Sequence, residues 1–184
     1  GQQAILCLGK HCADPKLIPG LQDEQGNLIS SKLYRSSWEK GEEIAPLEQF
    51  VIEIEAQYRR FLELVGHEPG YFEGHAVMSK NLFAGLKIVA DKYGLKHNAM
   101  SFDGVGEFNG KPITTCPMDS MNPDYDPFET LKKGVLGATP GVPAVFVGHP
   151  GYLDDYLLTH SSLTVNRTRE VAMFTDPAVK AWLD

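Results

Sequence analysis

The sequence has few cysteines and no cluster of positive charge. Cysteine occurs only at Cys7, Cys12 and Cys116, an odd number without Cys-x-x-Cys spacing, so neither a disulfide framework nor a zinc knuckle is expected. The formal net charge is -7, and no run of lysine or arginine occurs. Because nucleic-acid binding rests largely on contacts between cationic side chains and phosphates, we expect no nucleic-acid partner.

Long apolar runs are also missing. No segment approaches the ~20 apolar residues that a membrane-spanning helix needs, and the first residues show no basic start followed by an apolar stretch. We therefore expect a soluble, cytoplasmic protein with no membrane partner. The 184 residues are enough for one domain with a substantial core, and we expect residues 1–184 to form a single domain. Covalent acyl catalysis is not expected, because the chain lacks a Gly-x-Ser-x-Gly segment.

Helical and strand-like segments alternate along the chain. Apolar residues recur at threes and fours from Pro46 to Val65, which predicts an amphipathic helix that ends at Gly66. Further helices are predicted near residues 81–93, 127–136, 165–174 and after 176, and strands near 4–8, 71–76, 97–102 and 144–147. The turn-rich segment from Asp14 to Trp38 is predicted to be a long ordered loop. This alternation favours an α/β fold with a parallel sheet.

Two of the strand-like segments end in histidine. Glu73 and His75 are two residues apart, so their side chains lie on the same face of a strand. The second segment, residues 143–148, is followed by His149 and then Pro150-Gly151. Two strand-end histidines from distant parts of the chain predict a shared site. The alternative for each of them is a core or turn histidine that bonds only to backbone groups.

These residue types suit hydrolytic chemistry. Neutral imidazole and carboxylate are the ligands that zinc and similar divalent metals prefer, which makes His75 a candidate ligand. His149 suits a general acid or base, because free imidazole titrates near neutral pH. Arg167 and Glu170 lie three residues apart on one predicted helix face, where a surface pair is the simplest interpretation.

Several segments match one family in order. Residues 149–152 read His-Pro-Gly-Tyr, residues 167–170 read Arg-x-x-Glu, and residues 53–57 read Glu-x-x-Ala-Gln. Residues 69–75 are similar to Pro-Thr-His-Ile-Asp-Ser-His, and residues 1–10 are similar to Gly-x-His-Leu-x-Leu-Thr-x-Gly-Lys/Arg. Over nearly the whole chain, these segments resemble the YdjC family of carbohydrate deacetylases.

The resemblance implies a fold and a reaction. The fold would be a distorted (β/α) barrel of the polysaccharide-deacetylase type, possibly incomplete, with its site at the carboxyl ends of the strands. The reaction would be hydrolysis of the acetyl group of an N-acetylated amino sugar or oligosaccharide. The cofactor would be one divalent metal ion, magnesium or zinc, which polarises the amide carbonyl and activates water.

The resemblance also implies residue roles. His75 would be a metal ligand, and Gln3 stands at the position of the family's other histidine ligand. The catalytic residues would be His149, as the acid-base histidine, and Arg167 and Glu170, which would support the site. Glu73, which stands where the family has aspartate, and Tyr152 would contact the substrate.

The sequence departs from the family pattern at its beginning. The family's first strand, which carries an Asp-Asp pair, has no counterpart after Gly1, so the domain is expected to begin after that strand. A sheet edge left open in this way would let copies associate, for example as a homodimer. The alternative function is a metal-free carbohydrate-binding or regulatory protein on the same scaffold, with Trp38, Tyr71 or Tyr152 as sugar platforms.

Overall fold

The computed structural model describes residues 1–99, 105–116 and 119–184 of the chain. The helices in this part are α1 (Ser31–Lys40), α2 (Leu47–Val65), α3 (Lys80–Tyr93), α4 (Pro127–Leu136), α5 (Asp155–His160), α6 (Val165–Thr175) and α7 (Pro177–Leu183). The strands are β1 (Gln2–Ile5), β2 (Phe72–His75), β3 (Asn98–Ala99), β4 (Val105–Phe108), β5 (Lys111–Thr115) and β6 (Ala144–Val145). Two short 3₁₀ turns, Pro15–Leu17 and Pro19–Leu21, precede α1.

The chain divides into two compact units. The first comprises Gly1–Met100 and Glu107–Lys111, and the second comprises Ser101–Gly106 and Pro112–Asp184. The boundary therefore passes through β4 and β5. The expectation that residues 1–184 form a single domain stays a prediction.

In the first unit, two helices cover one face of a parallel strand pair. β1 pairs with β2 in parallel, with Gln3 beside Glu73. The core between strands and helices is formed by completely or almost completely buried side chains, among them Ala4, Phe72, Phe50, Ile54, Leu82 and Leu86. The apolar stripes of α2 and α3 thus pack on the strands, as their periodicity predicted.

Local signals set the ends of these two helices. α2 ends at Gly66, whose φ of 79° lies in the left-handed region and whose N–H donates to the carbonyl of Leu62. α3 begins after Ser79, whose side chain accepts a hydrogen bond from the N–H of Leu82. Both are ordinary capping arrangements, and both helices lie where the sequence predicted them.

The second unit has a smaller core. β5 and β6 pair in parallel, with Thr114 beside Ala144. α4 begins after Asp126, whose carboxylate accepts from the N–H groups of Phe128 and Glu129. The core of this unit contains Leu131, Met173 and Val179, with Phe128 and Phe146 packed against it. The predicted helices at 127–136, 165–174 and after 176 are confirmed.

Part of the long-loop prediction was wrong. The last third of the segment forms the beginning of α1, which ends at Gly41 with a φ of 71°. Tyr34 is the helix's one buried residue among those described, so its apolar stripe was too narrow to be recognised. α5 was missed as well, because it has only six residues and none of them is buried.

The strands agree with the sequence only in part. β1 begins two residues before the strand predicted at 4–8 and ends three residues before its end, β6 is shorter than predicted, and β3 covers Asn98–Ala99, while residues 100–102 of that prediction lie outside the described residues. β3 pairs antiparallel with β4, so the strand pairs are mixed rather than all parallel. The α/β class is confirmed. Within the described part of the chain, none of the helices combines the length and apolar character that crossing a bilayer requires.

Candidate functional site

Gly74 lies on the side of β2 that packs against α3. A Cβ atom added there would lie 3.1 Å from Cδ1 of Leu86 and 3.2 Å from Cδ2 of Leu82, both on α3. A side chain at position 74 would crowd these two leucines. Since side chains alternate along a strand, Glu73 and His75 point away from α3, on the open face. The prediction that they share one face is confirmed.

Gln3 lies on the same face and bonds to Glu73. The two residues are neighbours in the parallel register, and the amide Nε2 of Gln3 donates to Oε1 of Glu73 over 3.0 Å. Ile5 lies beside His75 in the same register. Gln3, Glu73 and His75 thus form a small polar group on the face opposite the helices.

This polar group supplies an incomplete set of metal donors. His75 and Glu73 are suitable ligands, but Gln3 offers only an amide, and its NH₂ group already faces the carboxylate. The parts of the chain that the structure describes contain no group of three or more histidine, cysteine, aspartate or glutamate side chains placed to hold a metal ion. These residues therefore do not by themselves fit the divalent ion that the resemblance implies.

The backbone turns sharply directly after His75. Ala76 has a φ of 57°, and the N–H of Val77 donates to the carbonyl of His75 over 2.8 Å. A positive φ is unfavourable for alanine, so the surrounding structure holds this turn against a small energetic cost. This turn ends β2 at His75, the candidate metal ligand.

A buried glutamate on α2 holds the loop that follows β1. Glu53 is completely buried, and its carboxylate accepts from the backbone N–H of Cys12, at 2.9 and 3.1 Å, and of Ala13, at 2.9 Å. It also accepts from Nε2 of Gln57 over 2.7 Å. The Gln57 amide in turn bonds to the N–H and the carbonyl of Ile5, at 2.9 and 2.7 Å. One turn of α2 thus fixes both the end of β1 and its loop.

Two side chains of α6 hold the backbone around His149. The completely buried Glu170 accepts a hydrogen bond from the N–H of His149, and Nη1 of Arg167 donates to the carbonyl of His149 over 3.2 Å. The N–H of Gly151 donates to the carbonyl of Arg167 over 3.3 Å. The surface-pair interpretation of Arg167 and Glu170 was wrong, because both side chains are used to fix this loop.

The imidazole of His149 has an unused ring nitrogen. Its Nδ1 atom is buried and finds no hydrogen-bond partner among the described residues. Buried polar atoms are normally paired, and each exception calls for an explanation. A backbone fixed on both sides holds the imidazole in one place, which suits a ring that exchanges a proton with a bound molecule.

The predicted sugar platforms differ in exposure. Tyr152, in the loop held by Arg167, is 83% exposed. Tyr71 is 40% exposed and packs edge-to-face on Phe108, with ring centroids 6.3 Å apart. Trp38 lies on α1 and is half-buried. Tyr152 is thus the aromatic residue that is most open to a ligand among these three.

The predicted site residues form two groups, one in each unit. Gln3, Glu73 and His75 lie together in the first, and His149, Arg167 and Glu170 lie together in the second. That both groups face a common hollow stays a prediction.

The sequence analysis missed the structural roles of Glu53, Gln57 and Tyr125. Glu53 and Gln57 lie on the buried side of α2, three and seven residues after Phe50, where polar side chains need internal partners. That position on the apolar stripe was a usable signal. Tyr125, which bonds to Glu170, carried no such signal, because it lies in a polar loop.

A parallel strand pair covered by α2 and α3 in the first unit, and a second parallel pair in the second unit, define an α/β protein. The chain belongs to the YdjC-like protein family, whose model matches residues 3–184. The resemblance noted from the sequence is confirmed.

Two carbohydrate deacetylases are similar to this chain over part of their length. Carbohydrate deacetylase 2 of Listeria innocua serovar 6a is 24% identical over 171 residues, which cover 89% of this chain and 64% of the relative. Chitooligosaccharide deacetylase of Klebsiella pneumoniae strain 342 is 36% identical over 76 residues, which cover 41% of this chain and 27% of the relative. The chain therefore spans 64% or less of the length of these relatives.

A solved structure shares the fold. The crystal structure of a candidate cellobiose-phosphate cleavage protein from Enterococcus faecalis V583 superposes with a TM-score of 0.75 over 98% of this chain and 71% of that chain. The two sequences are 22% identical, so this likeness concerns the fold alone.

Proposed function

We propose that the chain is part of a carbohydrate deacetylase that removes acetyl groups from N-acetylated amino sugars or oligosaccharides. The observation that carries the proposal is the backbone of His149, which the buried Glu170 and Arg167 hold from two sides. Membership of the YdjC-like family and the names of the two deacetylase relatives support the substrate class.

The reaction needs an acid and a base. A general base takes a proton from water as the water oxygen adds to the acetyl carbonyl carbon, and the C–N bond then breaks to give acetate and an amine that takes up a proton from a general acid. In the proposal, the imidazole of His149 donates the proton to the leaving nitrogen. Arg167 and Glu170 keep the ring in place, so their contribution is positional. Tyr152 and Glu73 contact the sugar.

We also propose that the strand pairs belong to a distorted (β/α) barrel. In such barrels the helices form the outer layer, and the strand faces turned away from them line the interior. Gln3, Glu73 and His75 occupy the face of β1 and β2 that is turned away from α3. His75 supports the proposal, because it is the last residue of β2 and sites in such barrels lie at the carboxyl ends of the strands.

A divalent ion, magnesium or zinc, stays a prediction of the family resemblance. His75 is the ligand that this chain offers best, and a complete site would need donors other than Gln3 and Glu73, which bond to each other. The proposed role of His149 does not depend on the ion, because it concerns a proton at the leaving nitrogen.

The test is acetate release from N-acetylated oligosaccharides by the purified chain and by His149→Ala. General acid catalysis typically contributes ~10²–10⁴-fold, so we expect His149→Ala to lose about a hundredfold or more in rate while the fold stays intact. The matched control is His160→Ala, an exposed histidine on α5 of the same unit. Equal activity of wild type and His149→Ala would refute the assignment.

The second candidate function is sugar binding without hydrolysis. The bond between Gln3 and Glu73 favours it, because a carboxylate that is already paired with an amide is less available to a metal. Calorimetric titration with the same oligosaccharides, combined with metal analysis of the purified chain, separates the two functions. Binding without acetate release supports this second function.

A homodimer formed through the open edge of β1 also remains a prediction.

A further inference from the structure

We propose that Tyr125 is a positioning residue for His149 and acts on it through the carboxylate of Glu170. The proposal rests on the function proposed above, in which His149 exchanges a proton with the substrate. Tyr125 lies in the polar loop before α4, 24 positions before His149 in the printed sequence.

The two oxygens of Glu170 have different partners. Oε1 accepts a hydrogen bond from the hydroxyl of Tyr125 over 2.9 Å, and Oε2 accepts from the backbone N–H of His149. Glu170 is completely buried, and Tyr125 is 4% exposed. The carboxylate therefore links the tyrosine hydroxyl directly to the backbone of the candidate acid.

Each partner limits the rotation of the carboxylate. The terminal torsion of glutamate is soft, so a carboxylate bonded at one oxygen alone can swing widely. Burial, and then the hydrogen bond to Glu170, raise the pKa of Tyr125, which keeps the hydroxyl protonated and able to donate. With the hydroxyl in place, Oε2 stays directed at the N–H of His149.

The loop that carries Tyr125 is itself fixed by α6. Nδ2 of Asn166 donates to the carbonyls of Ser120 and Asn122, both at 2.8 Å. Nη1 of Arg169 donates to the carbonyl of Tyr125 over 3.0 Å. The tyrosine hydroxyl therefore reaches Glu170 from a backbone that is anchored on the same helix.

The other side of the carboxylate has little free space. A Cβ atom added at Gly148 would lie 3.3 Å from Oε2 of Glu170 and 2.8 Å from the ring of Phe174. A side chain at position 148 would therefore crowd both the Phe174 ring and the carboxylate of Glu170.

The test compares Tyr125→Phe with a matched control, Tyr34→Phe. Tyr34 is 2% exposed, and its hydroxyl donates to the carbonyl of Leu6 over 3.0 Å, so each variant removes one buried hydroxyl. We expect Tyr125→Phe to lower kcat for acetate release about tenfold and to change KM less than about twofold, because the lost hydrogen bond orients a reacting group rather than the sugar. Tyr34→Phe should keep the kcat of the wild type. Equal kcat values for both variants would overturn the proposal.

A double variant tests whether Tyr125 affects kcat through the carboxylate of Glu170. If it does, Tyr125→Phe lowers kcat no further once Glu170→Gln is present, because residues that act as a unit are not additive. Additive losses would mean that Tyr125 acts by another route and would overturn the proposal.

A spectroscopic measurement separates this inference from the proposed function. In NMR spectra, the ring and amide signals of His149 should move in Tyr125→Phe and stay in place in Tyr34→Phe. If the wild type releases no acetate, the deacetylase proposal fails, and these signals still decide the positioning role. Unchanged His149 signals in Tyr125→Phe would overturn it.

Discussion

Each unit of the molecule contains a completely buried glutamate on a helix, and each of these carboxylates holds the loop that follows a short parallel strand. Glu53 on α2 accepts from two consecutive N–H groups after β1, whereas Glu170 on α6 accepts from one N–H group after β6. The remaining partner of Glu53 is the amide of Gln57, and that of Glu170 is the hydroxyl of Tyr125.

The difference lies in what each carboxylate connects. Through Gln57, Glu53 is bonded to the backbone of Ile5 in β1, so it belongs to the framework of the first unit. Glu170 is bonded to the backbone of His149 itself, next to an imidazole nitrogen that has no partner among the described residues. The same structural solution thus supports a strand in one unit and a candidate catalytic residue in the other.

Removing either carboxylate should produce the largest loss of stability. Glu53→Ala removes the acceptor of two backbone N–H groups and one of the two acceptors of the Gln57 amide, so we expect the free energy of unfolding to fall by about 4 kcal/mol. Glu170→Ala leaves one N–H group and one hydroxyl, and we expect a loss of about 3 kcal/mol. Urea unfolding measures both values.

Glu73→Ala is the matched control for these two variants. Glu73 is half-buried and bonds to Gln3 on an open strand face, where water can replace the lost partner. We expect a change below about 0.5 kcal/mol, as for most substitutions outside the core. A loss of stability at position 73 as large as that at position 170 would contradict the distinction between buried carboxylates that hold the backbone and the half-buried carboxylate of Glu73.

Another glutamate of α2, Glu55, is paired with side chains rather than with backbone N–H groups, and its contribution to stability should be smaller. The Lys92 ammonium, the Tyr93 hydroxyl and the Arg59 guanidinium lower the pKa of Glu55 from 4.5 to about 2. A lowered folded-state pKa stabilises the protein above the unfolded-state value, so this contribution is lost as the pH falls from about 4.5 toward 2.

The expected size of this effect is about 1 kcal/mol, because Lys92 and Arg59 are largely exposed and solvent screens them. Urea unfolding between pH 6 and pH 2, compared with the Glu55→Gln variant, measures it. The wild type should lose more stability than the variant over this range. Parallel curves for the two proteins would show that the ion pairs add nothing.

Much of the helical framework could be predicted from local signals. The spacing of Phe50, Ile54 and Tyr58 gave the buried face of α2, and Asp126-Pro127 and Asp176-Pro177 marked the starts of α4 and α7. Such signals lie within a few residues of the element they determine. α1 lacked them, because among its described residues only Tyr34 is buried.

The partners within the candidate site could be predicted only in part. Strand alternation was sufficient to place Glu73 and His75 on one face, since it depends on neighbouring residues alone. The bond between Tyr125 and Glu170 joins residues 45 positions apart, and it follows from the packing of a loop on α6. No periodicity in the sequence encodes a contact of that kind.

Backbone hydrogen exchange of the wild-type chain tests the central claim most directly. The amides of Cys12, Ala13 and His149 lie in loops, yet each donates to a completely buried carboxylate. We predict that these three amides are protected to a degree similar to those within α2 and α6. Exchange at the rate of an unstructured peptide at His149 would contradict the claim that Glu170 fixes the candidate catalytic loop.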